Sequence, residues 1–223
     1  MYAWTLDQKT LTFFVSGTLE RQVLVIEDRE TQTRWSQLTG LAIGGPLQGR
    51  HLRQLGTQVL TWKRWRARFP TSSLYAGPLR PSFVFSGAKY GLGAGASGHS
   101  ELVLGTRAGH AVRGYALSLL DHTPILNDTL GGIPIVVAYA PDDGFGLVWD
   151  RRAGNHVLDF RAGDAPLTAI DQRGGRWDLL VGQALSGPDA GAHLTAIWAT
   201  PAFALGWERF FGPGSILRSL PGA

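Results

Sequence analysis

Residues 28–70 read DRETQTRWSQLTGLAIGGPLQGRHLRQLGTQVLTWKRWRARFP, and residues 171–213 read DQRGGRWDLLVGQALSGPDAGAHLTAIWATPAFALGWERFFGP. With Trp35 placed on Trp177, the following residues recur at the same distance from that Trp: Gly45-Pro46 and Gly187-Pro188, Gly49 and Gly191, Leu52 and Leu194, Trp65 and Trp207. Only the turn after the leading Asp differs in length, by one residue. So many identities in one register indicate a tandem duplication, which decides how the chain is divided.

Each copy is predicted to contain a β-hairpin that turns at an Asp. The apolar run Val23–Ile26 favours a strand. The side chain of Asp28 can accept hydrogen bonds from backbone N–H groups just after it, as in a turn. In the second copy, Gly174-Gly175 offers the positive-φ positions that a hairpin turn favours. A return strand then carries Trp35 or Trp177.

A short aromatic helix is predicted to close each copy. In the second copy, Thr200-Pro201 has the pattern of an N-cap followed by the first helical residue. The aromatic residues of each copy then fall on one helical face: Trp62, Trp65 and Phe69 in the first copy, and Phe203, Trp207 and Phe210 in the second. The N-cap of the first helix is either Thr57 or Thr61, and Pro70 ends that helix.

The predicted fold is α+β, mainly antiparallel β, with two pseudo-symmetric repeats each closed by a short aromatic helix. Residues 4–15 resemble residues 149–160 as a hairpin, but the second copy also has the strand-rich residues 109–140 before that hairpin. We therefore expect a first repeat that is shortened at its N-terminus, or a missing segment, with an exposed sheet edge. The expected divisions are a first repeat at 1–75, a glycine-rich linker at 76–100, and a second, fuller repeat at 101–223.

Composition places the chain among globular proteins and excludes several kinds of site. With 44% hydrophobic and 17% charged residues, the 223-residue chain can bury a substantial core. The lack of Cys excludes disulfides, a Cys nucleophile and Cys-ligated zinc in this sequence. The net charge of +4 is mild and identifies no partner. No apolar run reaches the roughly 20 residues of a membrane span, and the first residues lack the pattern of a signal peptide.

Asp28 and Asp171 are equivalent acids in the two copies. Across a pseudo-twofold axis they could meet as a carboxylate pair that shares a proton, an arrangement suited to acid–base chemistry. Alternatively, each carboxylate stabilises its own hairpin turn, which requires no long-range contact. We favour the turn interpretation for that reason.

Polar residues that only one copy carries are the next candidates. Trp35 and Trp177 are common to both copies and are expected in the core, whereas Gln37 has no polar equivalent in the second copy. Gln37 could bind a ligand amide or carbonyl, or it could satisfy buried backbone groups. Asn127-Asp128 precedes Gly131-Gly132 and is predicted to form a polar turn, either a capped turn or part of a site loop.

Three other patterns give weaker indications. His51 and His193 are equivalent, but no second ligand lies at metal-binding spacing, so we predict no metal site. Gly93-x-Gly95-x-x-Gly98 matches the dinucleotide fingerprint, yet a strand-like run follows where a helix is required, which favours a loop. The basic residues between Lys63 and Arg68 are absent from the second helix. We interpret them as a solvated face rather than a nucleic-acid site.

The motif Asp-Arg-x-Thr-x-x-x-Trp-Ser-Gln-x-x-Gly at residues 28–40 resembles domain-of-unknown-function family 3179. Gly-Pro-x-x-Gly-x-x-Leu at 45–52, Thr-Trp-x-x-Trp at 61–65 and several later residues match as well: Asn127, Asp128, Gly132, Pro134, Asp150, Arg151, Phe160, Asp171, Trp177, Gly182, Gly187, Pro188 and Trp207. The resemblance implies a bacterial or archaeal protein whose relatives are often exported, and it carries over no activity. It also implies a Cys-Pro-x-Cys motif that would fall before Met1; the equivalent place in the second copy is Ala140-Pro141-Asp142-Asp143.

Together these observations lead us to expect a binding or structural module, with a small ligand at the junction of the two repeats near Gln37 and the two hairpin turns. The alternative is a hydrolytic or redox enzyme that uses Asp28 and Asp171, or cysteines of a missing N-terminal segment. The candidate ligand-binding residues are Asp28, Arg29, Trp35, Gln37, Asn127, Asp128, Asp171 and Trp177. The sequence identifies no cofactor and no defined partner.

Overall fold

The computed structural model describes residues 2–55, 61–74 and 101–220. These residues form mainly antiparallel sheets with short helices, so the predicted fold class is confirmed. The predicted linker at 76–100, with its glycine motif, and the alternative N-cap Thr57 lie outside the described residues. None of the described helices is long and apolar enough to cross a membrane.

The described residues 2–55 and 61–74, which we call the first repeat after the sequence comparison, form a small hairpin followed by a four-stranded sheet of order β3-β4-β5-β6, and then by a helix. Its elements are β1 (Thr5–Leu6), β2 (Lys9–Thr10), β3 (Phe13–Glu20), β4 (Val23–Asp28), β5 (Arg34–Ser36), β6 (Ala42–Gly44) and α1 (Trp62–Arg68). Asp7 and Gln8 both take positive φ in the hairpin turn, as a two-residue turn between twisted strands requires. The sheet packs around a small core of Leu11, Trp35, Ala42 and Leu52.

Residues 101–220, which we call the second repeat in the same way, begin with five strands and a helix, and only the end of the last of these strands has a counterpart among the described residues of the first, at Tyr2. They are β7 (Leu102–Ala108), β8 (Ala111–Ala116), α2 (Leu117–His122), β9 (Ile125–Leu130), β10 (Ile133–Ala140) and β11 (Phe145–Asp150). The matching part follows: β12 (Arg152–Ala153), β13 (His156–Val157), β14 (Phe160–Ala162), β15 (Thr168–Asp171), β16 (Arg176–Asp178) and β17 (Gln183–Ser186). The chain ends with β18 (Thr195–Ile197), β19 (Ala199–Phe203), α3 (Ala204–Phe211) and β20 (Ile216–Leu217).

The sheets β3-β4-β5-β6 and β14-β15-β16-β17 share their order and one irregularity. In both, the register shifts at the Trp, beside Trp35 and beside Trp177. A Phe ring meets each Trp edge-on, with ring centroids 6.2 Å apart at Phe13 and 5.6 Å apart at Phe160. This edge-to-face geometry is favourable for aromatic pairs, so each sheet is organised around the same buried Trp.

The structure aligns the two hairpins two residues differently from the sequence comparison. Tyr2, not Trp4, occupies the place of Trp149. The Tyr2 hydroxyl donates to the carbonyl of Gln37 at 2.8 Å, and the Trp149 indole donates to the carbonyl of the equivalent Leu179 at 2.9 Å. Trp4 is exposed instead.

A central sheet of order β18-β11-β10-β9 is buried on both faces. Side chains of β10 alternate, because successive residues of a strand point to opposite faces. Ile135 and Val137 pack toward β7 and β8, whereas Val136 and Ala138 pack toward the sheet β14-β15-β16-β17. The nearly continuous apolar sequence of β10 follows from this two-sided burial.

Helix α3 lies on the outer face of the sheet β19-β7-β8-β20. Gly105 and Gly114 face each other across β7 and β8, and the fully buried Trp207 ring lies over both. A Cβ on Gly105 would lie 2.0 Å from the ring, and one on Gly114 would lie 3.1 Å from its indole nitrogen. The lack of side chains at these two glycines therefore leaves the space in which the Trp207 ring of α3 packs.

The predicted start of that helix at Thr200-Pro201 is wrong. Both residues belong to β19, where Pro201 pairs with Leu104 of β7, and α3 begins only at Ala204. Phe203 is the N-cap residue and not part of the helical face. Strand β19 is at the edge of its sheet. Pro201 is tolerated there because no further strand lies on the outer side to require its missing backbone N–H.

Helix α1 begins at the N-cap Thr61, whose hydroxyl accepts from the amide of Arg64 at 3.4 Å. It has no buried residue and contacts the second repeat through charges. Arg64 pairs with Asp143 at 2.5 Å, and Arg68 approaches Asp178 at 3.6 Å. The interpretation of these basic residues as a solvated face agrees with the exposure of Lys63, Arg66 and Arg68 and is corrected for Arg64, whose side chain is 28% exposed.

Candidate functional site

The two hairpin turns hold Asp28 and Asp171 in equivalent environments. Asp28 is fully buried and accepts from the amide of Thr31 at 2.6 Å and from the Trp35 indole at 2.8 Å. Asp171 accepts from the amide of Gly175 at 2.9 Å and from the Trp177 indole at 2.7 Å. In each turn one carboxylate oxygen accepts from a turn amide and the other from the indole, so one carboxylate ties the turn to the core Trp.

The hydrogen bonds that the described residues give to either carboxylate come from its own turn. The structure thus places Asp28 and Asp171 as two separate turn acceptors and shows no carboxylate pair among the described residues. Of the two glycines predicted for positive φ, only Gly174 takes it, at +83°. Gly175 is required for space, because a Cβ there would lie 2.4 Å from Oδ2 of Asp171.

Asn127 lies in β9 and not in a turn, which corrects the prediction. The turn comes later, at Gly131 and Gly132, which take φ of +59° and +79°. The Asn127 side chain donates to the carbonyl of Phe160 at 2.7 Å and accepts from its amide at 3.0 Å. One amide side chain therefore completes the backbone pairing of the edge strand β14.

Asp128, the next residue of β9, points to the opposite face. Its Oδ2 accepts from Arg113 and, at 2.6 Å, from the hydroxyl of Tyr115, both on β8. Burial raises the pKa of Tyr115 far above its usual range, and the bond to the Asp128 carboxylate raises it further. Tyr115 is fully buried, so its hydroxyl joins two sheets from the interior, whereas the side chains of Arg113 and Asp128 are 34% and 19% exposed.

The remaining candidates divide into core and surface. Trp35 and Trp177 are fully buried, and Arg29 is exposed with its guanidinium over the Phe14 ring at 5.3 Å. Within residues 2–55, 61–74 and 101–220, no three His, Asp or Glu side chains gather as metal ligands do.

A pocket of about 450 Å³ lies at the junction of the two repeats. Gln37, one of the candidates, is part of its wall. Residues of both repeats line it, among them Leu19, Gln22, Val23, Leu24, Gln37 and Leu38 from the first and Leu102, Thr200, Pro201, Ala202, Phe203 and Gly206 from the second. Its size falls in the range of small-molecule sites, and its wall is mostly apolar, as in such sites. The two hairpin turns are not in this wall.

Of the residues in this pocket wall, the sequence predicted only Gln37 as a site residue. Leu19, Leu24 and Phe203 read as ordinary strand or helix residues, and their meeting depends on the contact between repeats. One usable indication existed: Gln37 corresponds to Leu179, which is fully buried. A polar residue in place of a core Leu indicates that the first repeat is not covered in the same way.

The chain was compared with known proteins. Neither curated proteins nor solved structures gave a match. A family model described as "Protein of unknown function (DUF3179)" matches residues 1–78 and 93–219. Because this match covers most of the chain, the protein belongs to the DUF3179 family of proteins of unknown function.

Proposed function

We propose that this protein is a binding module whose binding site is the pocket between the first repeat, residues 1–75, and the second repeat, residues 101–223. The observation that supports this proposal is the pocket itself, an apolar concavity of about 450 Å³ between the repeats. Such concavities are the usual sites of ligand binding.

The pocket wall suggests the chemistry of the ligand. Leu19 and Phe203 are 61% and 47% exposed although both are large and apolar. Burying them against a ligand is favourable, at about 25 cal/mol per Å² of apolar surface. Gln22, Gln37 and Thr200 add hydrogen-bonding groups at the same wall. The ligand is therefore mainly apolar with a few amide-like or hydroxyl groups.

No comparable observation supports a catalytic function. An enzyme that uses Asp28 and Asp171 together requires one shared carboxylate site. Each carboxylate instead accepts from the indole of its own Trp and from amides of its own turn. We therefore assign both residues to stability.

The test is binding of an apolar fluorescent probe, 1-anilinonaphthalene-8-sulfonate, to the folded protein. Leu19→Asp places a charge in the pocket wall, and Leu185→Asp is the matched control, because Leu185 is 57% exposed and lies outside this wall. We expect Leu19→Asp to weaken probe binding about tenfold or more, since a charge in an apolar site is costly. The control should bind as the unsubstituted protein does.

Urea unfolding of both variants checks that a loss of probe binding is not caused by loss of the fold. The two midpoints should agree with that of the unsubstituted protein, because both leucines are exposed. If the probe binds equally to both variants, or does not bind at all, the pocket is not the binding site.

A further inference from the structure

Helix α1 is joined to the second repeat by polar and charged side chains. The Arg64 guanidinium pairs with Asp143 at 2.5 Å, and the Thr61 hydroxyl donates to the other oxygen of that carboxylate at 2.9 Å. About one helical turn after Arg64, Arg68 approaches Asp178 at 3.6 Å. Both carboxylates belong to the second repeat, so α1 is attached to that repeat at two points along its length.

The aromatic residues of α1 pack within their own segment. The Trp65 and Phe69 rings are 4.6 Å apart, and the Trp65 indole donates to the Ser72 hydroxyl at 2.9 Å. In the parts of the chain that the structure describes, no hydrophobic core cluster includes a residue of α1, and no residue of α1 is buried. Hydrophobic burial therefore contributes little to holding α1 on the second repeat.

Helix α3 is held in the opposite way. Ala204, Gly206 and Trp207 are buried, and Trp207 packs in one core with Val103 and Ile216. Dissolved salt screens charges: the Debye length falls from about 30 Å at 0.01 M ionic strength to about 3 Å at 1 M. Apolar contacts carry no charge to be screened. The two helices should therefore respond differently to ionic strength.

We propose that α1 is a reversibly docked helix whose release from the second repeat is controlled by ionic strength. Screening of the pairs at Asp143 and Asp178 releases α1, which uncovers these two carboxylates and frees the arginines that paired with them. The two repeats stay together, because Val23 packs against Gly206 of α3 without involving charge. This regulation by salt is independent of the pocket between the repeats.

Hydrogen exchange of the whole protein, measured by mass spectrometry with millisecond labelling, tests this proposal. The amide of Trp65 donates to the carbonyl of Thr61 at 3.0 Å, and the amide of Phe69 donates to that of Trp65 at 2.8 Å. Release of α1 lets these bonds open more often. Between ionic strengths of about 0.01 M and 1 M, we expect exchange in α1 to accelerate about fivefold or more. Exchange in α3, the internal reference, should change less than about twofold.

Two variants test the pair that attaches α1. Arg64→Gln removes the positive charge, and Asp143→Asn removes the negative charge but keeps an oxygen for the Thr61 hydroxyl. Each variant should exchange rapidly in α1 already at low salt and should respond less to added salt. Because both substitutions break the same pair, the double variant should exchange no faster than the faster single variant.

Arg173→Gln is the matched control. Arg173 pairs with Asp189 at 2.8 Å within the second repeat, and these side chains are 31% and 17% exposed, close to 28% and 12% for Arg64 and Asp143. This control removes a similar ion pair that does not involve α1. Exchange in α1 should therefore be the same as in the unsubstituted protein at both ionic strengths.

Three results would overturn the proposal. Exchange in α1 that is unprotected at low salt would show that the helix is not docked. An equal salt response of α1 and α3, or equal α1 exchange in Arg64→Gln and Arg173→Gln, would show that charge does not hold α1. A urea midpoint of Arg64→Gln far below that of Arg173→Gln would show that α1 is released only when the whole protein unfolds.

Discussion

Replacing Asp171 by Asn tests whether the carboxylate is a structural acceptor. Oδ1 of Asp171 accepts from the amides of Arg173 and Gly175 at 2.7 and 2.9 Å, and Oδ2 accepts from the Trp177 indole at 2.7 Å. An Asn side chain has one oxygen. If that oxygen serves the two amides, its NH₂ group faces the indole N–H, and two donors meet in a buried site.

The cost follows from these contacts. A buried donor left without an acceptor costs about 1–3 kcal/mol, and hydrogen bonds to a charged acceptor are worth about 1.5–3 kcal/mol, more than neutral ones. We therefore expect Asp171→Asn to lower the free energy of unfolding by about 3 kcal/mol. For a chain of this size that corresponds to roughly 6–12 °C in Tm. Asp28→Asn should cost somewhat less, because the Thr31 hydroxyl beside Asp28 can rotate to accept from the new NH₂ group.

The assay is urea unfolding followed by Trp fluorescence, with Asp164→Asn as the control. Asp164 is 76% exposed at its side chain and pairs with Arg176 at 2.9 Å, and such surface pairs contribute about 1 kcal/mol or less. If Asp171→Asn unfolds within about 0.5 kcal/mol of this control, the carboxylate does not stabilise the turn. Loss of binding of the apolar fluorescent probe by Asp171→Asn, with unchanged stability, would instead place Asp171 in a functional site.

Three further predictions concern other contacts of the fold. Gly105→Ala should lower the free energy of unfolding by about 3 kcal/mol and change the near-UV circular dichroism, because its Cβ would displace the buried Trp207 ring. Arg64→Ala should cost less than about 1 kcal/mol in global stability but should speed amide exchange in α1, which has no buried residue to hold it. Burial alone would raise the pKa of Asp150, but its bonds with Arg152 outweigh burial and lower that pKa. The ionised Asp150 carboxylate therefore stabilises the fold above the unfolded pKa of about 3.9. This contribution is lost as pH falls through the lower folded pKa. Urea titrations between pH 2 and 6 should show less acid destabilisation for Asp150→Asn.

Local features of the sequence predicted the hairpins and the buried Trp residues well. A turn at Asp28 depends on residues within a few positions, and the structure shows the expected bonds from the amide of Thr31 to that carboxylate. Because Asp171 is the equivalent residue in the second copy, the same turn was predicted there. The bond from each Trp indole to the Asp was not predicted, because the sequence does not show which way the indole points.

Features that depend on distant contacts were predicted poorly. Thr200-Pro201 has a good helix-start pattern, yet pairing with β7 places it in a strand. Asn127-Asp128 has the composition of a turn, but its polar side chains bond to strands on two different sheets. In both cases a tertiary contact outweighs local propensity, and no window of neighbouring residues contains that contact.

The pocket arises from a difference between two similar sheets. The same local sequence folds into the same register twice, and the same backbone bond joins Gln37 to Leu24 and Leu179 to Leu167. What differs is the cover: Leu179 is buried in one core with Val136 and Ala138 of β10, whereas Gln37 lies in the wall of a pocket. A Leu at position 37 would expose apolar surface to water when the pocket is empty, while a Gln can hydrogen-bond to water and also to a ligand. Gln37 is thus the residue type expected in the wall of the binding site that we propose, which is exposed to water when it is empty.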